Sequence, residues 1–185
     1  RMWGAITMPD SVSRNITFTL DGKQIEAIGD ETIWQAAARH GTDIPHLCYK
    51  DANDYRADGN CRACMVEIEG ERVLAASCIR TPTDGMVVTS DSHRADSARK
   101  MVMELLVADQ PARDTAHDPT SELWRYADRQ NVSTSRFPAK QAPAPDSSHP
   151  AIAVNMDACI QCNLCVRACR EVQVNDVIGL AGRGA

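Results

Sequence analysis

From Asn15 the chain alternates apolar and polar positions through Ile16-Thr17-Phe18-Thr19-Leu20, turns at Asp21-Gly22 and alternates again from Lys23 to Ile28. This pattern predicts a β-hairpin closed by a two-residue turn. Thr32 is placed to cap a helix over Ile33 to His40, a segment rich in helix formers, and Gly41 suits its end. No period follows from Thr42 to Cys64, a stretch broken by Pro45, Gly59 and several Asp and Asn residues. It is too long for an ordinary connection and reads as a functional loop. Met65 to Glu69, Arg72 to Ala75 and Met86 to Thr89 predict three more short strands around the Gly70 turn.

Asp91 or Ser92 can cap a second helix, whose residues Ala98, Met101, Val102, Leu105 and Leu106 recur at helical spacing and which stops before Pro111. That face is expected to pack inward, with Met101 and Met103 as ordinary packing residues. Ser121 to Gln130 also reads as helical. Phe137 to Pro150 carries Pro138, Pro143, Pro145 and Pro150 among Ala, Ser and Gln and reads as an extended linker. Ile152-Ala153-Val154 reads as a short strand beyond it. The expected division is an irregular start over 1–13, with Met8 a candidate first residue, a strand-rich domain over 14–90, a helical segment over 91–136, the linker over 137–150 and a second domain over 151–185.

Composition narrows the classes. The 185 residues are 43% apolar, with 20 Lys and Arg against 25 Asp and Glu, a net charge of −5. That describes globular protein of one or two small domains. No apolar run approaches the roughly 18 to 20 residues of a membrane span. No basic-apolar-small signal opens the chain, so secretion and membrane embedding are disfavoured. The acidic balance and lack of a Lys/Arg tract leave no footprint for nucleic acid.

Eight cysteines change the picture. They fall at Cys48, Cys61, Cys64 and Cys78 and, after 80 residues with none, at Cys159, Cys162, Cys165 and Cys169. Disulfide frameworks belong to short, core-poor secreted chains, whereas this chain has enough apolar residues to bury a core. Structural zinc competes more seriously, because Cys-x2-Cys pairs are its usual ligands. The second group has the Cys-x2-Cys-x2-Cys-x3-Cys spacing of bacterial ferredoxins. Three cysteines at two-residue gaps suit the corners of an iron-sulfur cube better than a tetrahedral zinc site made of two separated pairs.

Hairpin, helix, cysteine loop and further strands in that order resemble the β-grasp fold of plant-type 2Fe-2S ferredoxins. The residues that carry the resemblance are Ile44-Pro45-His46-Leu47-Cys48, Asp58-Gly59-Asn60-Cys61-Arg62-Ala63-Cys64-Met65-Val66-Glu67 and Ala76-Ser77-Cys78. The spacing Cys-x12-Cys-x2-Cys-x13-Cys is longer in its first gap than the Cys-x4-Cys of plant ferredoxins. It is similar to the amino-terminal domain of the complex I large peripheral subunit, iron hydrogenases and NAD-linked formate dehydrogenases. The implied class is α+β, with Cys48, Cys61, Cys64 and Cys78 holding a 2Fe-2S cluster. Four thiolates on such a cluster form a buried anion, so the loop has to aim backbone N–H groups at the sulfurs, and Gly59 and Ala63 let the chain come close. Arg62 and Arg80 are candidates to offset that charge, against the plainer role of solvated surface arginines. His46 beside Cys48 invites a Rieske-type reading, but four cysteines fill the site, and packing or hydrogen bonding is expected of it instead.

In complex I and iron-hydrogenase relatives the next segment is a His-Pro-x-x-Cys-x-x-Cys box for a further 4Fe-4S cluster. Here it reads Asp109-Gln110-Pro111-Ala112-Arg113-Asp114-Thr115-Ala116-His117, followed by Glu122-Leu123. Gln110 stands in the place of the histidine and Asp114 in that of the first cysteine, and a lone His117 cannot hold an iron cluster. The expectation is that residues 109–123 bind no cluster. The helix after them, with Trp124 buried, should pack on the domain before the linker.

Ala168-Cys169-Arg170-Glu171-Val172-Gln173 and Ile178 to Gly184 resemble the middle of the two-cluster domain of hydrogenases and formate dehydrogenases, so that the second domain would be part of a bacterial-type two-cluster ferredoxin fold. Arg170, where a dicluster ferredoxin has Pro, leaves the helix after Cys165 free to continue through Val172. By the resemblance Cys159, Cys162 and Cys165 bind one 4Fe-4S cluster whose fourth thiolate lies beyond Ala185, while Cys169 ligates a second 4Fe-4S cluster. All four on one cube is the competing arrangement.

Ser13 to Gly184 as a whole is similar to the alpha subunit of cytoplasmic NAD-dependent molybdenum formate dehydrogenases. The resemblance implies an electron-carrying segment without a catalytic site of its own. Formate oxidation to CO2 would occur at a molybdenum-bis(pterin) centre in a catalytic part outside residues 1–185. NAD+ reduction would fall to a flavin/NAD-binding diaphorase subunit, with a small 2Fe-2S subunit completing a hetero-oligomer. Nothing in the 185 residues supplies a pterin site, a Rossmann Gly-rich turn or a catalytic acid-base pair. Two other readings stand beside it. One is a diaphorase-type subunit of an NAD-reducing hydrogenase or an iron-hydrogenase amino terminus; the other is a free-standing ferredoxin or zinc-binding interaction module.

Overall fold

The hairpin forms where alternation places it: β1 (Ile16–Leu20) pairs antiparallel with β2 (Lys23–Ala27), Ile16 opposite Ala27 and Leu20 opposite Lys23. Asp21 and Gly22 both take positive φ, 49° and 76°, as a two-residue turn between right-twisted strands requires. The Asp21 carboxylate also accepts from the Ser90 backbone N–H at 2.6 Å and from the Ser90 hydroxyl at 2.7 Å, tying the turn to the far end of the sheet. The computed structural model describes residues 15–52, 55–141 and 144–180. The irregular start expected over 1–13 and the final residues 181–185 lie outside the described residues.

Helix α1 (Ile33–Arg39) begins at Thr32 with a reciprocal capping box, in which the Thr32 hydroxyl accepts from the Gln35 N–H and the Gln35 side chain accepts from the Thr32 N–H. Such a cap stabilises a helix by about 1 kcal/mol. Strands β3 (Met65–Ile68), β4 (Ala75–Ala76) and β5 (Val87–Thr89) complete one mixed sheet in the order β2-β1-β5-β3-β4. β5 runs parallel to β1 and antiparallel to β3. Phe18, Leu20, Ile25, Val66, Ile68 and Val88 project from the sheet onto Ile33, Trp34, Ala36 and Ala37 of α1 and form the first core.

A second core lies on the other side of the cysteine loop. Helices α2 (His93–Ala108, capped by Ser92) and α3 (Glu122–Arg129) bring Met103, Val107, Leu123, Trp124, Tyr126 and Ala127 onto Leu47 and Ala63. Trp124 is buried, as the sequence leads one to expect. The inward face of α2 is not the expected one. Ala95, Arg99, Met103 and Val107, spaced four apart, are buried, while Met101 and Leu105 are largely exposed and Ala98, Val102 and Leu106 are intermediate. The reason is Arg99. Its Nη1 donates to the carbonyls of Ser90 at 2.6 Å and Met65 at 3.3 Å, so a cation occupies the packed face and shifts the apolar stripe away from the hydropathy pattern.

Two smaller differences follow from local bonding. The strand expected over Arg72 to Ala75 is reduced to Ala75–Ala76, because only Met65 and Val66 pair with it and the Arg72 carbonyl accepts from the Arg94 guanidinium instead. Part of the stretch read as linker pairs: β6 (Asp146–His149) and β7 (Ile152–Val154) form a two-stranded ribbon with all its residues exposed. Beyond it α4 (Leu164–Arg167) runs on as a wider turn through Val172, as the absence of Pro at 170 allows.

The shifted face of α2 is testable. Arg99→Met should destabilise the protein by about 1–3 kcal/mol, since two buried carbonyls lose their donor. Leu105→Ala, at an exposed position, should cost less than about 1 kcal/mol. Thermal unfolding of the two variants compares them, and equal losses would contradict the assignment.

Candidate metal centre

The first four cysteines are brought together by three separate anchors. The indole N–H of Trp34 donates to the Ile44 carbonyl at 2.9 Å and fixes the start of the loop that leads to Cys48. The N-terminal amides of α1 reach the loop around Cys78, Trp34 N to the Ser77 carbonyl at 3.0 Å and Ile33 N to the Arg80 carbonyl at 2.8 Å. Ser77 in turn donates its N–H and hydroxyl to the Cys64 carbonyl, at 3.1 Å and 2.9 Å. Leu47 and Ala63, next in sequence to Cys48 and Cys64, plug into the second core, which fixes the other side of the loop.

The result is a set of adjoining sulfurs. Cys48, Cys64 and Cys78 are buried and Cys61 is half-buried. Cys48 is within hydrogen-bonding reach of Cys61 and Cys78, and Cys64 of Cys78. Donation from the Cys61 and Cys78 thiols holds Cys48 far below the ordinary thiol range, to about 2, and the same contacts push Cys61 and Cys78 up. Cys64 is drawn down to about 7, chiefly by the Cys78 thiol. Backbone amides also face the sulfurs: Cys61 N donates to Cys48 Sγ at 3.5 Å, and the amides of Asn60, Ala63, Leu47 and Cys78 contribute to the set.

Left-handed residues turn these amides inward. Gly59 has φ 63° and Arg62, between Cys61 and Cys64, φ 59°. Alternating helical hands in consecutive residues makes a concavity of N–H groups that favours negative charge. A side chain at Gly59 would meet Ile79 Cδ1 at 2.8 Å. Ile79 is half-exposed and can swing aside, so the backbone conformation is the stronger requirement. Ala63, with its side chain fully buried, leaves room for the same approach.

The second group repeats the device. Gln161 and Asn163, which flank Cys162, have φ 54° and 65°. Cys162 feels both Cys159 and Cys165, and burial raises its thiol above the usual range. Cys169 lies on the wide turn after α4, its Sγ accepting from the Val177 N–H at 3.3 Å.

The other residues singled out in the sequence are placed as follows. His46 packs edge-on against Trp34, ring centres 4.4 Å apart, and its Nδ1 faces the Ile44 carbonyl at 3.3 Å and the Tyr126 hydroxyl at 3.4 Å. Packing and hydrogen bonding account for it. Arg80 pairs with Glu71 and Arg62 is exposed. Gln110 donates to the Cys159 carbonyl at 3.4 Å, so the segment around it touches the second cysteine group. Periodicity and spacing gave no sign of Tyr55, Asn60 and Arg167, which join the two groups across more than a hundred residues.

Residues 13–93 match the family described as a 2Fe-2S iron-sulfur cluster binding domain. The chain is 34% identical over 174 residues to the mitochondrial NADH-ubiquinone oxidoreductase 78 kDa subunit of Candida albicans, covering 91% of this chain and 24% of that subunit. It is 35% identical over 181 residues to the NADP-reducing hydrogenase subunit HndD of Solidesulfovibrio fructosivorans, covering 91% and 30%. A chain from the crystal structure of an NAD+-reducing [NiFe]-hydrogenase in the H2-reduced state superposes with a TM-score of 0.77 at 31% identity, covering 91% of this chain and 71% of that one. Matches over 91% of the chain necessarily take in both cysteine groups from Cys48 to Cys165, not only the first domain. The chain spans between about a quarter and a third of the length of these curated relatives. The chain belongs to the family of that NAD+-reducing [NiFe]-hydrogenase chain, and its residues 13–93 match the 2Fe-2S iron-sulfur cluster binding domain.

Proposed function

We propose that this chain carries single electrons as the iron-sulfur part of a larger, NAD-linked, multi-subunit oxidoreductase. The observation that carries the reading is the set of four adjoining thiols, Cys48, Cys61, Cys64 and Cys78, faced by backbone amides inside a domain of the 2Fe-2S family. The donor set fits a 2Fe-2S cluster: four sulfurs in one run of contacts, Cys61 to Cys48 to Cys78 to Cys64, and amides positioned to stabilise an anion. When bound, such a cluster accepts and releases one electron at a time. The protein's own part is to exclude water from three of the sulfurs and to hold the amides toward them. A sheet in which the last strand lies parallel to the first, with α1 across one face, supports reading the first domain as a β-grasp ferredoxin domain.

For the second group, the proposal is that Cys159, Cys162 and Cys165 hold a 4Fe-4S cluster whose fourth ligand lies outside residues 1–185, and that Cys169 serves another 4Fe-4S cluster. The grouping of Cys162 with Cys159 and Cys165 supports the first of these assignments; the second rests on the resemblance of the spacing. The residues over 159–172 are accordingly read as part of a two-cluster ferredoxin domain.

As parent enzyme we favour an NAD-dependent formate dehydrogenase of the cytoplasm. Its molybdenum-bis(pterin) centre would lie in another part of the subunit, with a flavin/NAD diaphorase subunit and a small 2Fe-2S subunit as partners. Gln110 and Asp114 support this choice over the hydrogenases, because they stand where the cluster box of complex I and iron-hydrogenase relatives has its first ligands. A hydrogenase diaphorase subunit is the second reading, favoured by the superposition on the [NiFe]-hydrogenase chain. No helix among the described residues is long and apolar enough to cross a membrane.

The cluster reading predicts that Cys61→Ser removes or strongly alters an axial-type EPR signal of the reduced protein and lowers iron and acid-labile sulfide per chain. Unchanged iron, sulfide and signal would overturn it, and a colourless, zinc-loaded protein would favour the interaction-module reading. Gly59→Ala should lower stability by about 1–2 kcal/mol from its left-handed backbone alone. Its melting temperature and its iron content should fall together. For the parent enzyme, the purified complex should reduce NAD+ with formate; reduction with hydrogen and none with formate selects the hydrogenase reading.

A further inference from the structure

Arg167 lies between Cys165 and Cys169, and its side chain is wholly buried. Its partners come mostly from the other cysteine loop. Its Nη2 donates to the carbonyl of Arg56, its Nε is 3.7 Å from Asp58 Oδ1, and its guanidinium lies over the Tyr55 ring, 5.1 Å from the ring centre. Only Glu171, 3.4 Å from Nη2, belongs to its own segment. Two further bonds run alongside: the Tyr55 hydroxyl donates to the Leu164 carbonyl, and Asn60 Nδ2 donates to the Gln161 carbonyl at 3.2 Å. No strand pairing joins the two loops among the described residues.

A buried guanidinium is tolerated only where its charge is matched; among the described residues Nε and Nη2 of Arg167 find partners, while Nη1 has none. Had Arg167 served only an ion pair with Glu171 on its own helical turn, it could have stayed in water, where such pairs contribute little. Its burial is the consequence of docking. We infer that Arg167 is a positioning residue that clamps the second cysteine group onto the loop carrying Cys61 and so sets the spacing and orientation of the two sulfur sites. The planar fork matters. One guanidinium spans a carbonyl, two carboxylates and an aromatic face, which a lysine ammonium cannot reach together. Asn60 and Gln161 adjoin Cys61 and Cys162 in sequence, so the contact that Arg167 secures brings the two groups together through the residues next to their ligating positions.

The clamp rests on geometry alone; its effect on spacing between clusters rests on the reading under Proposed function. Hydrogen exchange on the full subunit within its complex tests the first. In Arg167→Met, amides of residues 55–62 and 159–167 should exchange about tenfold faster, with the protection of β1 to β5 retained. Arg167→Lys and Tyr55→Phe should show smaller increases confined to the same two segments. Unchanged exchange in both segments, or loss of protection across the whole sheet, would overturn the clamp. Microwave power saturation of the EPR signal from the first site tests the second, since a nearby paramagnet speeds its relaxation. In Arg167→Met the half-saturation power should fall several-fold at unchanged iron content. Faster exchange with unchanged saturation would overturn the positioning role and leave a docking contact. A subunit without iron would overturn the cluster reading, while the exchange data would still decide the clamp.

Discussion

Everything in the first domain depends on how the stretch from Thr42 to Cys64 pairs its backbone, because its described residues form neither helix nor strand. Buried N–H and C=O groups outside regular structure still need partners. Here they come from unusual places: an indole N–H, the Ser77 N–H and hydroxyl and the cysteine sulfurs themselves. The helix start that a capping box stabilises is also the donor set for the loop around Cys78. The start of α1 and the sulfur site therefore share hydrogen bonds.

The loop is held from both sides. Trp34, Ile44 and Tyr49 tie it to the core under the sheet, while Leu47 and Ala63 enter the core made with α2 and α3. Full burial of a large apolar side chain contributes about 1.5–3 kcal/mol, so Trp124 and Met103 are substantial stabilisers of a region that has little regular structure of its own. The segment around Gln110 and Asp114 thus matters to the site through packing and through the Gln110 bond to Cys159, whatever else it binds.

What could be read from the sequence was what depends on neighbours in the chain. Alternation gave the hairpin, Thr32 and Gln35 the start of α1, and fixed spacings the two cysteine groups. The helix around Trp124 was equally legible, because its pattern and its burial agree. The face of α2 was not, since the hydropathy pattern assigns Arg99 to solvent and only the distant carbonyls of Ser90 and Met65 reverse that. β6 was hidden for a different reason: Asp146 to His149 is polar and exposed throughout, so no apolar alternation marks it. The gathering of Cys48, Cys61, Cys64 and Cys78 was expected from resemblance, but Tyr55 and Arg167 depend on a contact across more than a hundred residues that no local rule anticipates.

Arg99 and Arg167 show the same solution used twice. Each is buried beside a cysteine loop, and each satisfies carbonyls at the edge of regular structure or outside it: Met65 at the start of β3 directly after Cys64, Ser90 beyond β5, and Arg56 within the loop before Cys61. A hydrophobic side chain in either place would pack but would orphan those carbonyls, and the loss of a buried partner costs about 1–3 kcal/mol. A histidine could bond them but would change charge near neutral pH. Burial lowers the Arg99 guanidinium from its usual value, yet a guanidinium starts so far above neutrality that it stays charged wherever the fold survives. The Arg99 strut beside Cys64 therefore does not loosen by titration of its own guanidinium.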